Sequence, residues 1–121
     1  MIYDSMTGNV ERFVSNLSGR YNHNMMDIKD VGTDISEDFI LVTHTIGFGE
    51  VPTRTRELLE KYSSHALGVA VSGNKLWGNN YGRAGKLIQE QFKIPLLMTF
   101  EMSGMESDIK KFEQEVDRIC Q

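Results

Sequence analysis

Apolar residues along this chain follow two alternating rhythms. Residues 1–3, 39–43, 67–72 and 96–100 are short, β-rich apolar runs, and the middle two are almost continuously apolar. Such runs suit strands buried on both faces of a parallel sheet better than half-exposed strands, which alternate apolar with polar. A weaker run at 24–28 predicts an edge strand. Between the runs the spacing turns helical. Val10, Phe13, Val14 and Leu17 lie at i, i+3, i+4 and i+7, with Gly19 as a stop. Leu58, Leu59 and Tyr62 mark a second helix over 55–62, entered after Pro52. Tyr81, Ala84, Leu87, Ile88 and Phe92 mark a third; Ile109, Phe112, Val116 and Ile119 mark a fourth, capped by Ser107 or Asp108. The resulting order predicts an α/β fold, a three-layer sandwich with a five-stranded parallel sheet between helices.

Composition narrows the picture. With 121 residues, 40% hydrophobic and 25% charged, residues 1–121 suffice for a single packed domain without disulfide or metal staples. A net charge of -4 disfavours a general nucleic-acid or anionic-membrane binder. It leaves room for a local anion site built from backbone amides. The single cysteine, Cys120, excludes an internal disulfide and any metal site of several cysteines, so a cytoplasmic location is expected. No basic and apolar leader opens the chain, and no run approaches the roughly 20 apolar residues of a membrane span.

Three segments rich in glycine and polar residues follow predicted strands: S-M-T-G-N-V at 5–10, T-I-G-F-G-E-V-P at 45–52 and G-N-K-L-W-G-N-N-Y-G at 73–82. Ligands of open α/β sheets bind beyond the carboxyl ends of the strands, so all three should meet at one edge. In the first, the Ser5 and Thr7 hydroxyls and the Asn9 amide precede a helix, and Gly8 lets backbone approach closely. That arrangement suits a phosphate, or else is a capped turn with no ligand. No Lys or Arg lies between Asp4 and Val10 and the Walker spacing is missing, so a monophosphate fits better than a triphosphate with magnesium. Gly47 and Gly49 flank Phe48, and Trp77 and Tyr81 sit among glycines and asparagines. Loop aromatics of this kind either plug the end of the core or stack on a planar ring. Asn74, Asn79 and Asn80 offer the paired donors and acceptors that read a heterocycle edge. Together the loops favour a flat heterocycle carrying one phosphate, flavin mononucleotide (FMN).

S-M-T-G-N before a helix is similar to the phosphate loop of flavodoxins. T-I-G-F-G-E-V-P, V-S-G-N-K-L-W-G-N-N-Y and P-L-L-M-T-F-E resemble the NrdI family, small flavodoxin-like proteins that assist class Ib ribonucleotide reductase. The resemblance spans nearly the whole chain. Asp4 departs from it: an apolar residue is expected there, and a carboxylate opposes a phosphate unless it points away or is hydrogen-bonded. The resemblance implies a flavodoxin-like fold in which Ser5, Met6, Thr7, Gly8, Asn9 and Val10 hold the FMN phosphate. Thr45, Ile46, Gly47, Phe48 and Gly49 would wrap one side of the isoalloxazine, and Gly73, Asn74 and Trp77 the other. A peptide at Gly47 or Gly49, where positive φ costs little, would turn as the flavin N5 gains a proton. The cofactor then carries the chemistry, which implies a redox accessory protein rather than a stand-alone turnover enzyme. In the implied role, reduced flavin reacts with O2 and a superoxide-type oxidant reaches the dimanganese small subunit of class Ib ribonucleotide reductase, enabling its tyrosyl radical. An unidentified flavin reductant is the other implied partner; nucleic acid and membrane are not.

Charge bears on that role. Residues 73–85 contain Lys75 and Arg83 and no acid, and residues 43–56 set Glu50 against Arg54 and Arg56. Less negative charge near the ring makes the fully reduced flavin anion easier to reach than in an acidic flavodoxin. The alternative is a general short-chain electron-transfer flavodoxin. A phospho-acceptor receiver domain needs clustered acids and a lysine after the fifth strand, whereas this chain has Asp4 alone, then Thr43-His44, and Thr99 to Glu101. His23, His44 and His65 show no metal-ligand spacing, so no metal is expected. His44 reads as a structural histidine, or one that touches the flavin. Met25, Met26, Met98, Met102 and Met105 read as filling the core or its margins, with Met102 to Met105 also able to face a partner, and the C-terminal helix as a solvated face.

Overall fold

Five strands pair in parallel in the computed structural model, which describes residues 1–32 and 34–120. They are β1 (Ile2–Tyr3), β2 (Met26–Asp27), β3 (Phe39–His44), β4 (Ala66–Gly73) and β5 (Leu96–Glu101), in the spatial order β2-β1-β3-β4-β5. This is the flavodoxin-like order, with its switch point between β1 and β3. Ile2 sits between Met26 of β2 and Leu41 of β3 in the register, which brings the carboxyl ends of β1 and β3 side by side.

Five helices cover the sheet: α1 (Asn9–Ser15), α2 (Gly19–Asn22), α3 (Thr53–Tyr62), α4 (Arg83–Phe92) and α5 (Glu106–Ile119). All six residues of β3 are buried, as the unbroken apolar run requires of a central parallel strand. Alternation along β3 sorts them into two cores. Ile40 and Val42 pack with Val10, Phe13 and Phe112 of α1 and α5, while Phe39 and Leu41 pack with Leu58, Leu59 and Ile88 of α3 and α4. Phe13 anchors the first core, stacked on Phe100 at 4.1 Å between ring centroids and edge-on to Phe112 at 5.5 Å. Removing that ring should cost about 3–5 kcal/mol. Gly104, at φ 76, turns the chain beside it: a Cβ there would lie 2.8 Å from the Phe13 ring.

Four local expectations change. Gly19 opens α2 rather than closing α1, which already ends at Asn16. The edge strand shrinks to Met26–Asp27 because the chain turns directly into a 3₁₀ helix over Ile28–Asp30. Tyr81 falls outside α4, whose N-cap is Gly82 in the left-handed conformation. Neither Ser107 nor Asp108 caps α5: Met105 does, and the Asp108 carboxylate reaches back one turn to accept the Met105 N–H at 2.8 Å. Among the described residues no helix is long and apolar enough to cross a membrane.

Candidate functional site

The segment leaving β1 forms a cradle of backbone. Gly8 caps α1 at φ 93, and its carbonyl accepts the Arg12 N–H at 2.9 Å. The Ser5 hydroxyl accepts the Glu11 N–H at 3.2 Å. Among the described residues nothing accepts from the N–H groups of Gly8, Asn9 and Val10, which stay available to an anion. The Val10 side chain is buried in the core, so only its backbone can serve. The expectation of a cradle without a cation is corrected. Arg12, one turn into α1, folds its guanidinium back: Nη2 donates to Asn9 Oδ1 at 2.5 Å and Nε to Ser103 Oγ at 3.0 Å. A Cβ on Gly8 would meet Arg12 Nη1 at 3.0 Å.

Asp4 is reconciled with the loop by its partners. Its side chain is buried, and Thr55 Oγ1 on α3 donates to Oδ2 at 2.8 Å, with Thr43 Oγ1 2.6 Å behind Thr55. The carboxylate is thus tied to α3. The Asp4 backbone does other work: its N–H extends the pairing to Val42, and its carbonyl accepts from His44 Nδ1 at 2.8 Å.

After β3, Ile46 and Glu50 exchange backbone hydrogen bonds of 3.0 and 2.8 Å and close a hairpin over residues 47–49. Gly47 and Gly49 both take positive φ, 53 and 92, but their surroundings differ. Gly49 is buried, where a Cβ would lie 2.8 Å from Arg83 Cβ and 3.0 Å from the Asn80 carbonyl oxygen. Gly47 is exposed, with nothing closer than the Glu50 carboxylate at 3.6 Å. Arg83 Nη1 donates to the Phe48 carbonyl at 2.9 Å, so α4 holds the hairpin from below. Thr45 Oγ1, donating to the Ser72 carbonyl at 2.9 Å, ties its root to β4.

After β4, the loop is a pair of tight turns over Lys75–Asn80. Asn74 Oδ1 accepts the Leu76 N–H at 2.9 Å, and Glu101 Oε2 accepts the Lys75 N–H at 3.0 Å. Tyr81 is the plug: a Cβ on Gly73 would sit 3.2 Å from its ring. Burial raises its phenol above the ordinary tyrosine value, helped by the carboxylates of Glu101 and Asp108. Trp77 is 38% exposed and free to offer a ring face. The segment after β5 locks onto this loop. Met102, at φ 56, donates its N–H to the Gly73 carbonyl at 2.9 Å and accepts from Ser72 Oγ at 2.5 Å.

These loops enclose a cavity of about 470 Å³, a volume typical of small-molecule sites. Of the expected residues, Met6, Thr7, Asn9, Thr45, Ile46, Gly47, Gly73, Asn74 and Trp77 line it. Ser5 lines an adjoining cavity of about 400 Å³ with Asp4, Lys29 and Arg54; Met6, His44 and Ile46 face both. Gly8, Val10, Phe48 and Gly49 do not line the larger of the two; they shape the loops that do. Asn79 and Asn80 are not among its walls, which leaves Asn74 alone of the three asparagines. Sequence reasoning missed Ser72 and Met102, which belong to a strand end and to a segment that carries no glycine-rich signal of its own. Met26, Met102 and Met105, expected in the core or at its margins, are exposed, and for Met102 and Met105 this matches the alternative of a partner-facing surface. A wider cavity, about 670 Å³, opens at the opposite edge beside Met1, Phe39 and Leu67, where the strands begin. Ligands of this fold bind at the other end.

FMN fits what is here. Backbone N–H groups unpaired among the described residues and a guanidinium suit its phosphate, the Trp77 face suits its ring, and His44 Nε2, a buried nitrogen with no partner among the described residues, suits a polar group of the ligand. Comparison with known proteins gives the family. The family described as "NrdI Flavodoxin like" matches residues 1–114. The "SPbeta prophage-derived protein NrdI" of Bacillus subtilis (strain 168) is 49% identical over 119 residues, covering 98% of this chain and 92% of that protein. "Protein NrdI" of Macrococcus caseolyticus is 43% identical over 121 residues, covering 100% and 91%. Among solved structures, a short-chain flavodoxin associated with a bacterial microcompartment superimposes with a TM-score of 0.70 at 20% identity, over 98% of this chain and 93% of that one. That last likeness is one of fold; the family matches reach further, and on them this chain belongs to the NrdI family of flavodoxin-like proteins.

Proposed function

We propose that this protein binds FMN in the cavity between its three loops and acts as a redox accessory protein for class Ib ribonucleotide reductase. The observation that carries the reading is convergence. The carboxyl ends of β1, β3 and β4 bring a backbone anion cradle, a glycine hairpin and an exposed tryptophan to one cavity. Family membership supports ribonucleotide reductase as the partner. When bound, FMN supplies stored reducing equivalents that pass to O2 and yield a superoxide-type oxidant for the dimanganese small subunit.

The protein's own part is binding, shaping and exposure. Residues 5–10 hold the phosphate through backbone N–H groups, backed by Arg12. Trp77 and the Gly47 peptide flank the ring. Of the two glycines, Gly47 is the one free to turn, since Gly49 is wedged against Arg83 and Asn80. The charge balance of the loops stays basic: β5 brings Glu101 to the Lys75 N–H, so Glu50 and Glu101 stand against Arg54, Arg56, Lys75 and Arg83. Such a balance penalises a reduced flavin anion less than an acidic shell does. Phe48, Leu76, Trp77 and Met102 are exposed apolar groups on or beside the same loops, a surface suited to a protein partner.

Reduction under anaerobic conditions followed by admission of air, with manganese-loaded small subunit present, tests the reading. The expected result is a yellow protein that bleaches, reoxidises rapidly in air and yields tyrosyl radical in the partner. A yellow protein that never supports radical formation would instead be a general electron-transfer flavodoxin. A protein that takes up no flavin overturns the reading altogether.

A further inference from the structure

His44 stands at the end of β3, 8% exposed, with its two ring nitrogens in opposite situations. Nδ1 lies 2.8 Å from the Asp4 carbonyl oxygen. A carbonyl only accepts, so Nδ1 carries the proton and the tautomer is fixed. In the neutral ring Nε2 is therefore an acceptor, and it is the buried side-chain nitrogen or oxygen that finds no partner among the described residues. Leaving such a group unpaired is costly. The ring lines both the main cavity and its neighbour, which places the buried, vacant lone pair in the wall of the space where a ligand would sit.

We infer that His44 Nε2 accepts a hydrogen bond from a hydroxyl of the flavin's ribityl chain, making His44 a cofactor-positioning residue. This rests on the FMN reading above. Phosphate is the wrong complement, since a dianion offers no proton to a lone pair. The location also selects the middle of the ligand. Through Asp4, His44 is tied to the root of the cradle that suits the phosphate, and it is followed directly by Thr45 and the hairpin that suits the ring. The stretch of FMN between phosphate and ring is a polyol, a row of hydroxyl donors. The same contact would hold the Asp4 segment, the end of β3 and the cofactor in one fixed relation.

The test is affinity of apoprotein for FMN, riboflavin and lumiflavin, which keep, truncate and remove the chain beyond the ring. His44→Asn retains a donor for the Asp4 carbonyl and deletes the second nitrogen; His44→Gln puts an acceptor near the Nε2 position. His44→Asn should weaken FMN and riboflavin equally, about five- to tenfold, leave lumiflavin unchanged, and be partly rescued in His44→Gln. Unchanged FMN affinity overturns the inference, as does a loss confined to FMN, which would assign the nitrogen to phosphate, or a loss shared by lumiflavin, which would assign it to the ring. Wild-type protein provides an independent readout by nitrogen NMR of labelled histidine. Nε2 should be unprotonated in the apoprotein and should shift on FMN binding, but not on lumiflavin binding, while staying unprotonated; a protonated Nε2 overturns the assignment. Wild-type protein that binds none of the three flavins overturns the cofactor reading itself, and this inference with it.

Discussion

The Thr55 hydroxyl on α3 donates a 2.8 Å hydrogen bond to the buried carboxylate of Asp4 at the end of β1. A carboxylate only accepts, so Thr55 spends its one proton there and receives one from Thr43, 2.6 Å behind. The chain of bonds is directed, and it fixes α3 to the strand end from which the anion cradle springs. Thr55→Val removes the donor and leaves a buried charge short of a partner, which should cost about 2–3 kcal/mol. Asp4→Asn keeps an acceptor for Thr55 and should cost about half of that or less. Urea denaturation of both apoproteins checks the ranking; equal stability of Thr55→Val and wild type would show that the network contributes nothing.

The two hairpin glycines should respond differently to alanine. Both need left-handed backbone, worth roughly 1–2 kcal/mol against any residue with a Cβ. At Gly47 that is the whole penalty, because the nearest atoms lie 3.6 Å away. At Gly49 a methyl group would strike Arg83 Cβ at 2.8 Å and the Asn80 carbonyl at 3.0 Å, so backbone must shift as well. Gly49→Ala should therefore unfold at lower denaturant than Gly47→Ala and loosen the grip of Arg83 on Phe48. Gly47→Ala should fold almost normally and show its effect in the flavin potentials, since it restricts the peptide that is free to turn. A reversed order of stability would place the rigid glycine at the wrong end of the hairpin.

Tyr81 gives the fold a weakness at high pH. Burial, with Glu101 and Asp108 adding to it, raises its folded pKa above the ordinary value near 10. Above that value the unfolded chain releases the phenolic proton before the folded one does, so the unfolded state binds fewer protons. Stability from this group is thus complete below about pH 10 and is lost as pH rises through the raised folded value. Tyr81→Phe should flatten that part of the stability curve while leaving neutral-pH packing against Gly73 in place. Ultraviolet titration of phenolate absorbance, compared between folded and denatured protein, reads the shift directly; a Tyr81→Phe curve with the same alkaline slope as wild type would remove Tyr81 from the account.

Sheet, layers and the three loops were legible because each rests on local pattern. Unbroken apolar runs announced β3 and β4, helical spacing announced α3, α4 and α5, and glycine with polar residues after a strand announced each loop. What was illegible depends on groups that arrive from elsewhere. Glu101 belongs to β5, yet its carboxylate binds the loop after β4. Met102 reads as one more apolar residue, and only its register beside Gly73 makes it a wall of the cavity. Asp4 could not be explained from its neighbours because its partner, Thr55, lies 51 positions away. Arg12 was within reach: it stands four residues after Gly8, one helical turn, and so on the face that looks back at the loop.

Arg12 carries the sharpest consequence for the cofactor. Its guanidinium bonds Asn9 and Ser103, both exposed or half-buried, so its loss should scarcely affect global stability. Its charge lies over the cradle, however, beside the N–H groups of Gly8 and Asn9, which are unpaired among the described residues. A phosphate there gains from the cation, whereas riboflavin, which has none, does not. Arg12→Gln retains side-chain hydrogen bonding toward Asn9 and removes the charge. It should weaken FMN by about tenfold, leave riboflavin unchanged and make FMN affinity less sensitive to added salt. Flavin fluorescence quenching at two salt concentrations measures all three quantities. Equal losses for FMN and riboflavin would mean that Arg12 only shapes the loop, and no loss for either would place the phosphate away from residues 5–10.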